Sequence, residues 1–520
     1  MCTIGIDIGG THTDGVLLDA GGRSMAYGKT TTTAPLQEGV KIMIAHLLKQ
    51  TGVTPHAIKS VVIGTTHATN AILEGKNLLK AGLLRLMIGQ PQFPSPGFNW
   101  PQTLKNAVIG AHETCEGGYE CDGRSSSKFH LQEVKDAVER LLEKGCEAIS
   151  VVGTFSPLNG MQELESARII QELAGEGFPI SLSHQIGGIG IIERENAALL
   201  NSALKRVIKE GFLSMEQALL QMDIQAPLWL TENNGSLLSL DEAIHFPIKT
   251  IGAGPTNSFI GGSKLCGIQE AIVVDMGGTS TDIGIVQGGY ARSSLQPAAI
   301  GGISLHFSMP DMISLAIGGG SHVYYQDASF QVGPQSVARQ LKNLSRVFGG
   351  SILTLTDAGV ASGSLQIENG KKENIGLSSR EAQTILKNAC QQIYQAILRL
   401  RGKRHELPVI LVGGGAELIK PLIQDFGLKG WMPAEAAVAN AYGAGLAEIS
   451  SVVDKVISLK EREKVLSELK EEAKSQAIVK GADRNHIRIA GITILPFAYT
   501  SDALAKVVIT ASGPKRAFDK

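Results

Sequence analysis

The sequence offers no surplus of charge: 48 Lys and Arg stand against 49 Asp and Glu, a net −1. That balance builds no basic face, so nucleic acid is not an expected partner. Cysteine is sparse. The six residues Cys2, Cys115, Cys121, Cys146, Cys266 and Cys390 form no CxxC pair, which fits reduced thiols in a cytosol rather than a disulfide framework. A cytoplasmic location is therefore expected. No window of about 20 apolar residues occurs, so no membrane span is expected. The first apolar run is interrupted by Asp7 and reads as a strand, not a signal peptide. There is no G-x-x-x-x-G-K-[ST], so this is not a P-loop protein. No G-x-G-x-x-G leads from a strand into a helix, which disfavours a dinucleotide fold. Aromatics are only 5% of residues, whereas glycines number 61, marking tight turns and close backbone approaches of the kind nucleotide-binding folds need. At 520 residues and 43% hydrophobic content the chain can bury large cores in two or more domains.

One motif is written twice. IGIDIGGTHTDGVLLD (residues 4–19) and VVDMGGTSTDIGIV (273–286) share D-x-GGT-x-TD. In each, a strand ends, two glycines let the backbone approach a ligand without a Cβ in the way, and turn amides form an anion-binding nest. Gly9, Gly10, Thr11, Thr13, Gly277, Gly278, Thr279 and Thr281 are candidate phosphate contacts. Asp7 and Asp275 cannot hold phosphate themselves; they are candidate catalytic and metal residues, holding magnesium or orienting a water. A turn alone needs the glycines but not the surrounding Asp and Thr, so two half-sites clamping a polyphosphate between domains is the favoured reading. Asp14 and Asp282 are read as braces of the hairpins. VILVGGGAELI adds a strand, three glycines and a helix; Gly413, Gly414, Gly415 and Glu417 are expected to meet adenosine.

Alternating strands and helices argue for α/β layers. Helices are expected near 36–50, after the GTTHATN loop, over 131–145 and 191–219, from the Gly-rich turn at 252 onward, at 335–347, 379–400 and 433–448, and in a charged stretch at 453–481. The 191–219 helix sits midway and is expected to cross between domains. In GTTHATNAILE, Thr66, Thr69 and Asn70 either cap the helix or contact substrate, with His67 as acid or base. Glu193 to Asn196 are read as interdomain salt bridges in preference to substrate contacts, Asp311 as a metal or substrate ligand, and the loop holding His112, Cys115 and Cys121 as one with two free thiols in preference to a metal site.

The order phosphate loop, helix, phosphate loop, GGG resembles the actin, sugar-kinase and heat-shock ATPase superfamily. GIDIGGTHTD, GTTHATNAILE, IGIIERENAALLNSAL, VVDMGGTSTDIGIV and MPDMISLAIGGGS resemble, in order, signatures of the hydantoinase A/5-oxoprolinase family. The resemblance implies two RNase-H-like (actin-like ATPase) domains around a nucleotide cleft, at 1–190 and 191–450, with a small α+β tail at 451–520. It implies ATP and Mg2+ as cofactors and ATP-dependent opening of a cyclic amide such as 5-oxoproline or a hydantoin. The alternatives are a ketone carboxylase subunit, a non-catalytic ATPase switch and a small-molecule kinase. It further implies a separate hydantoinase B-type subunit, since no B half lies in these residues, and an oligomer. The segment VGPQSVARQLKNLSRVFGG replaces a Pro/Gly-rich insertion of longer members.

Overall fold

The computed structural model describes residues 2–516 except 34, 89–92, 295–297, 306–308, 328 and 497–503. Part of the Pro-rich loop after residue 89 and part of the C-terminal LPFAYTSDALAK segment therefore lie outside the described residues.

Both copies of the repeated motif fold into hairpins with one register. Cys2–Ile8 pairs antiparallel with His12–Leu18, placing Asp7 opposite Asp14. Ala271–Met276 pairs with Thr281–Gln287, placing Asp275 opposite Asp282. On its other side each leading strand takes a parallel neighbour, Ile58–Thr65 in the first case and Val409–Val412 in the second. The first sheet runs Leu237–Ser239, Leu228–Thr231, Ile58–Thr65, Cys2–Ile8, His12–Leu18, Ser24–Thr31. The second runs Tyr290–Ala291, Thr281–Gln287, Ala271–Met276, Val409–Val412, Gly430–Trp431, with Met312–Leu315 also on Thr281–Gln287. An antiparallel hairpin continued by parallel strands is the RNase-H-like arrangement, and the chain builds it twice.

Ile4, Ile6, Leu17, Val61 and Ile63 of the first sheet pack on Val40, Met43, Ile44 and Leu47 of the helix Leu36–Thr51. The long helix Ile191–Gln221 belongs to the same core. It is buried on more than one face because strands of two sheets cover it, and so it does not cross to the second lobe; the next two strands return to the first sheet. The crossing falls to Ala253–Cys266, which packs on strands of both lobes.

The long helix lies between Leu36–Thr51, which packs on the first sheet, and a four-stranded parallel sheet, in order Ile109–Cys115, Ala81–Leu86, Ala148–Gly153, Ile180–Leu182. The amphipathic helix Leu131–Glu143 covers it with Val134, Val138 and Leu141. The expected loop at 112–122 is a loop only after Cys115: His112 and Cys115 lie on the strand Ile109–Cys115, with Cys115 buried and Cys121 exposed, both free.

Three helix expectations are corrected. At 335–347 the strand Ser329–Ser336 runs on into 3-10 turns and one short helix, Leu341–Leu344. Pro334 lies inside this strand, whose pairing with Ser321–Gln326 carries it to Ser336, past the point where a helix was expected to begin. At 433–448 a 3-10 turn precedes the short helix Ala439–Gly445. Residues 449–458 form a strand, and the charged helix begins only at Arg462. In VVDKVIS, Val453 turns inward while Val452, Asp454 and Lys455 stay exposed, so the two-residue period outweighs the charge content. That strand, Leu504–Gly513 and Arg488–Pro496 form the tail's sheet. Leu469, Ala473 and Ala477 of the helix cover it, and the same core takes in Trp229 and Leu237 of the first sheet.

Candidate active site

The two glycine turns close identically: Gly9 N donates to His12 O and Gly277 N to Ser280 O, each at 2.9 Å. They also face each other. A Cβ built on Gly278 would lie 3.6 Å from Thr11 Oγ1 of the first loop. A Cβ on Gly10 would meet nothing within 4 Å, so packing does not demand a glycine there. Thr11 is half-buried and Thr279 exposed on these turns. Thr13 and Thr281 are one step further in, on the strands. Both are buried, with hydroxyls bonded to Thr32 Oγ1 and the Ile317 carbonyl at 3.3 and 2.6 Å, so they hold the turns in place instead of facing the cleft. Behind the second turn, Gly319 N and Gly320 N donate to the Gly277 and Gly278 carbonyls at 3.0 and 2.7 Å.

The carboxylates converge at the cleft floor. Asp7 is 4% exposed and its Oδ1 is buried without a partner. Burial first, then the charges of Asp14 and Asp275, raise its pKa from 3.8 to about 7, against the pull of Lys29 and Asn440. Asp275 is raised as well, chiefly by burial, with Ser258 and Lys29 opposing. Asp282 is pushed by burial to about 6, restrained by Ser314 on the neighbouring strand Met312–Leu315. Asp14 does more. Its carboxylate pairs with Lys29 Nζ at 2.9 Å, and Asn440 Nδ2 donates to Oδ2 of both Asp7 and Asp14 at 2.9 Å. Lys29 and Asn440 are the two site residues the motifs do not contain. The sequence signal for Lys29 is its register opposite Asp14; Asn440 has none.

The GGG turn wraps the end of the second leading strand. Gly413 has φ +91°, and a Cβ there would fall 2.2 Å from Asp275 Oδ1. Gly415 N donates to the Met276 carbonyl at 2.8 Å, and Gly414 is exposed toward the cleft. Glu417 pairs with Lys420 at 3.1 Å.

The other candidates sit further out. Thr66 N and Oγ1 donate to the Ile8 carbonyl at 3.2 and 3.4 Å, so this loop abuts the first phosphate turn. Asn70 Nδ2 donates to Thr66 Oγ1, and the His67 amide is held by Thr65 Oγ1; Thr69 is half-buried on the same helix. The His67 ring lies against the long helix, 3.6 Å from a Cβ built on Gly211, and burial lowers its pKa, keeping it neutral. Asp311 is engaged by Arg292. Of the 193–196 group, Glu195 makes a buried two-pronged ion pair with Arg85 at 2.7 Å, which ties the long helix to the parallel sheet, not to the second lobe. Asn196 Nδ2 does reach forward, to the Ser304 carbonyl at 3.0 Å.

Among the described residues no cluster of three His, Cys, Asp or Glu side chains is placed to hold a metal alone. Magnesium asks for less: one or two carboxylates, with waters and phosphate oxygens completing an octahedron. The unpartnered Asp7 Oδ1 and the raised Asp275 carboxyl fit that donor set.

Twin RNase-H-like lobes with phosphate-type turns facing across a cleft define an actin-like ATPase fold. Within it, residues 3–174 match the hydantoinase/oxoprolinase N-terminal region and residues 194–390 match hydantoinase/oxoprolinase. The chain belongs to the hydantoinase/oxoprolinase family. It is 25% identical to the caprolactamase subunit alpha of Pseudomonas jessenii over 70% of this chain and 54% of that protein. A crystal structure of the ATP-dependent caprolactamase from that organism superposes with a TM-score of 0.76, at 21% identity, covering 98% of this chain and 87% of the other. The 5-oxoprolinase of Dictyostelium discoideum is 24% identical over 90% of this chain and 44% of its own length. The acetophenone carboxylase gamma subunit of Aromatoleum aromaticum is 24% identical over 75% and 57%. The chain thus spans about half the length of these relatives. No described helix is long and apolar enough to cross a membrane.

Proposed function

We propose that the chain uses ATP and a divalent cation to open a cyclic amide, alone or as the ATP-handling subunit beside a separate B-type subunit. The observation that carries the reading is the meeting of the two turns, with Thr11 against Gly278 above the buried pair Asp7 and Asp275. A lactam carbonyl is a poor electrophile; a phosphoryl group on its oxygen makes the ring carbon open to attack by water. The cation would neutralise phosphate charge as it transfers. Asp7 and Asp275 hold that cation. The Gly10 and Gly278 amides, with Thr11 and Thr279, donate to phosphate oxygens from turns that Gly9 and Gly277 close, and Gly413–Gly415 give the adenosine a bare backbone to lie on. Thr66, at the mouth of the first turn, and Thr69, Asn70 and neutral His67 on the helix that follows line the approach for the ring. Asp311, already paired with Arg292, is placed for orienting rather than for metal binding.

A ketone carboxylase subunit is the second reading, supported by the acetophenone carboxylase likeness. Phosphate release from ATP with magnesium, across 5-oxoproline, hydantoins, larger lactams, and ketones with bicarbonate, separates them. Stimulation by a ring compound with formation of the open-chain acid supports the hydrolase. Stimulation by a ketone only with bicarbonate supports the carboxylase. No compound stimulating, with a B-type partner present, refutes both.

A further inference from the structure

Lys29 stands at the cleft outside every motif. It lies on the first sheet's edge strand, Ser24–Thr31, opposite Asp14. Its ammonium is 2.9 Å from Asp14 Oδ1. The same nitrogen donates to the Ala437 carbonyl at 3.2 Å and lies 3.4 Å from a Cβ built on Gly414. Gly414 is the exposed middle of the GGG turn, and Ala437 is in the 3-10 turn that receives the Gly413 amide through Ala436. A first-lobe cation therefore rests on the nucleotide face of the second lobe. Burial raises the pKa values of Asp7 and Asp275 and lowers that of His12; the Lys29 charge opposes the first two shifts and adds to the third. The side chain keeps 31% exposure, so the cleft can reach it.

A lysine needed only to neutralise Asp14 would have no reason to extend to the other lobe. An ammonium has three donors. Asp14 takes one, and the Ala437 carbonyl carries only a partial charge. A phosphate oxygen beside Gly414 is a stronger acceptor, because both partners of the bond are then charged.

We propose that Lys29 is a nucleotide-sensing strap between the lobes: anchored on Asp14 beside the first glycine turn, it donates to a phosphate oxygen at the edge of the GGG turn that carries the adenosine, and so couples polyphosphate binding to the contact between the lobes. This rests on the reading of the cleft as a nucleotide site, though not on the ring-opening chemistry. It follows that ATP feels Lys29 and adenosine does not.

The test is equilibrium binding of ATP and of adenosine, with magnesium, to the full chain and its Lys29→Gln and Lys29→Arg variants. Glutamine removes the charge and, although one atom shorter, keeps an amide donor for Asp14; a thermal melt checks that the variant folds. Lys29→Gln is expected to weaken ATP about ten- to a hundredfold, the range of one charge-assisted hydrogen bond, and to leave adenosine within about twofold; Lys29→Arg should restore most of the loss. Equal weakening of both ligands, or of neither, overturns the strap. If the wild-type chain binds neither ligand, the nucleotide reading falls and takes the strap with it. If ATP binds with this Lys29 dependence and no ring is opened, only the ring-opening chemistry falls.

Discussion

Replacing Asp7 with asparagine should make the protein more stable and less active at once. Asp7 is raised from 3.8 to about 7 and its Oδ1 has no partner. The folded state therefore holds a proton that the unfolded chain gives up between those two values. A state that binds more protons loses stability as pH rises through that window. Each pKa unit is worth 1.36 kcal/mol, so the whole span costs the fold about 4 kcal/mol above pH 7 and about 2 at pH 5. Asparagine has the same shape and no charge, and removes that cost. At an unfolding entropy of about 2.1 cal/mol/K per residue, over 520 residues, the gain is about 4 °C in Tm at pH 8. It should shrink to about half that at pH 5. Magnesium with ATP should raise the wild-type Tm, because a ligand of the folded state stabilises it, and should move Asp7→Asn far less. ATP turnover should fall on the order of a hundredfold, the cost of losing one preorganised charge contact. The assay is a thermal melt from pH 5 to 8 with and without magnesium and ATP, beside phosphate release. A variant that melts below wild type at pH 8, or keeps full turnover, refutes the account of Asp7 as a strained carboxylate awaiting a cation.

Asn440→Ala removes the donor shared by Asp7 and Asp14; the pH midpoint of magnesium-dependent ATP turnover should rise by about one unit, read from a pH–rate profile, and an unmoved profile sinks the role. Gly413→Ala forces a Cβ to 2.2 Å from Asp275 Oδ1 at φ +91°; strain of about 1–3 kcal/mol should lower Tm, and displaced Asp275 should lower ATP affinity, whereas wild-type binding would mean the GGG turn does not position that carboxylate. Arg85→Met leaves Glu195 buried and unpaired, costing about 3–5 kcal/mol in urea denaturation, most of which Arg85→Met/Glu195→Leu should restore; a double variant as weak as the single would contradict this.

The parts of the site written in one stretch of sequence were legible. Asp7, Gly9, Gly10, Asp275, Gly277 and Gly278 fold as the repeated motif implies, because a strand-turn-strand carries its chemistry locally. The two threonines inside each motif divide by where the turn ends: Thr11 and Thr279 stay on the turn, while Thr13 and Thr281 lie on the strand and are turned into the fold. Being two residues apart they share strand parity, so alternation does not separate them, and the motif read as a block hides the boundary. Lys29 and Asn440 were out of reach for a different reason. One depends on hairpin pairing 15 residues back and the other on a helix 433 residues on, and neither side chain is unusual where it stands. The crossing helix was misplaced because Ile191–Gln221 is long and midway, and length says nothing about which sheet covers a helix.

The place of Asn440 shows how the lobes are joined. A Cβ on Gly261 would lie 1.8 Å from the Ala439 carbonyl, one on Gly443 2.0 Å from the Asn257 carbonyl, and one on Gly5 2.2 Å from the Ala441 carbonyl. Ala253–Cys266 and Ala439–Gly445 thus meet backbone to backbone, and the second also touches the first leading strand. No side chain there can adjust, so the short helix holds Asn440 at a set height above Asp7 and Asp14. A methyl at position 443 must push the helices apart or shift Asn440. Overpacking of this kind costs about 1–3 kcal/mol, and that loss alone would say nothing of function. The informative measurement is the pH–rate profile of Gly443→Ala. If helix contact sets the carboxylates through Asn440, this variant should shift the midpoint upward in the same direction as Asn440→Ala, and the double variant should add nothing further. A variant that loses stability while its midpoint stays at the wild-type value would show the junction to be packing alone, with the carboxylates tuned entirely from within the cleft.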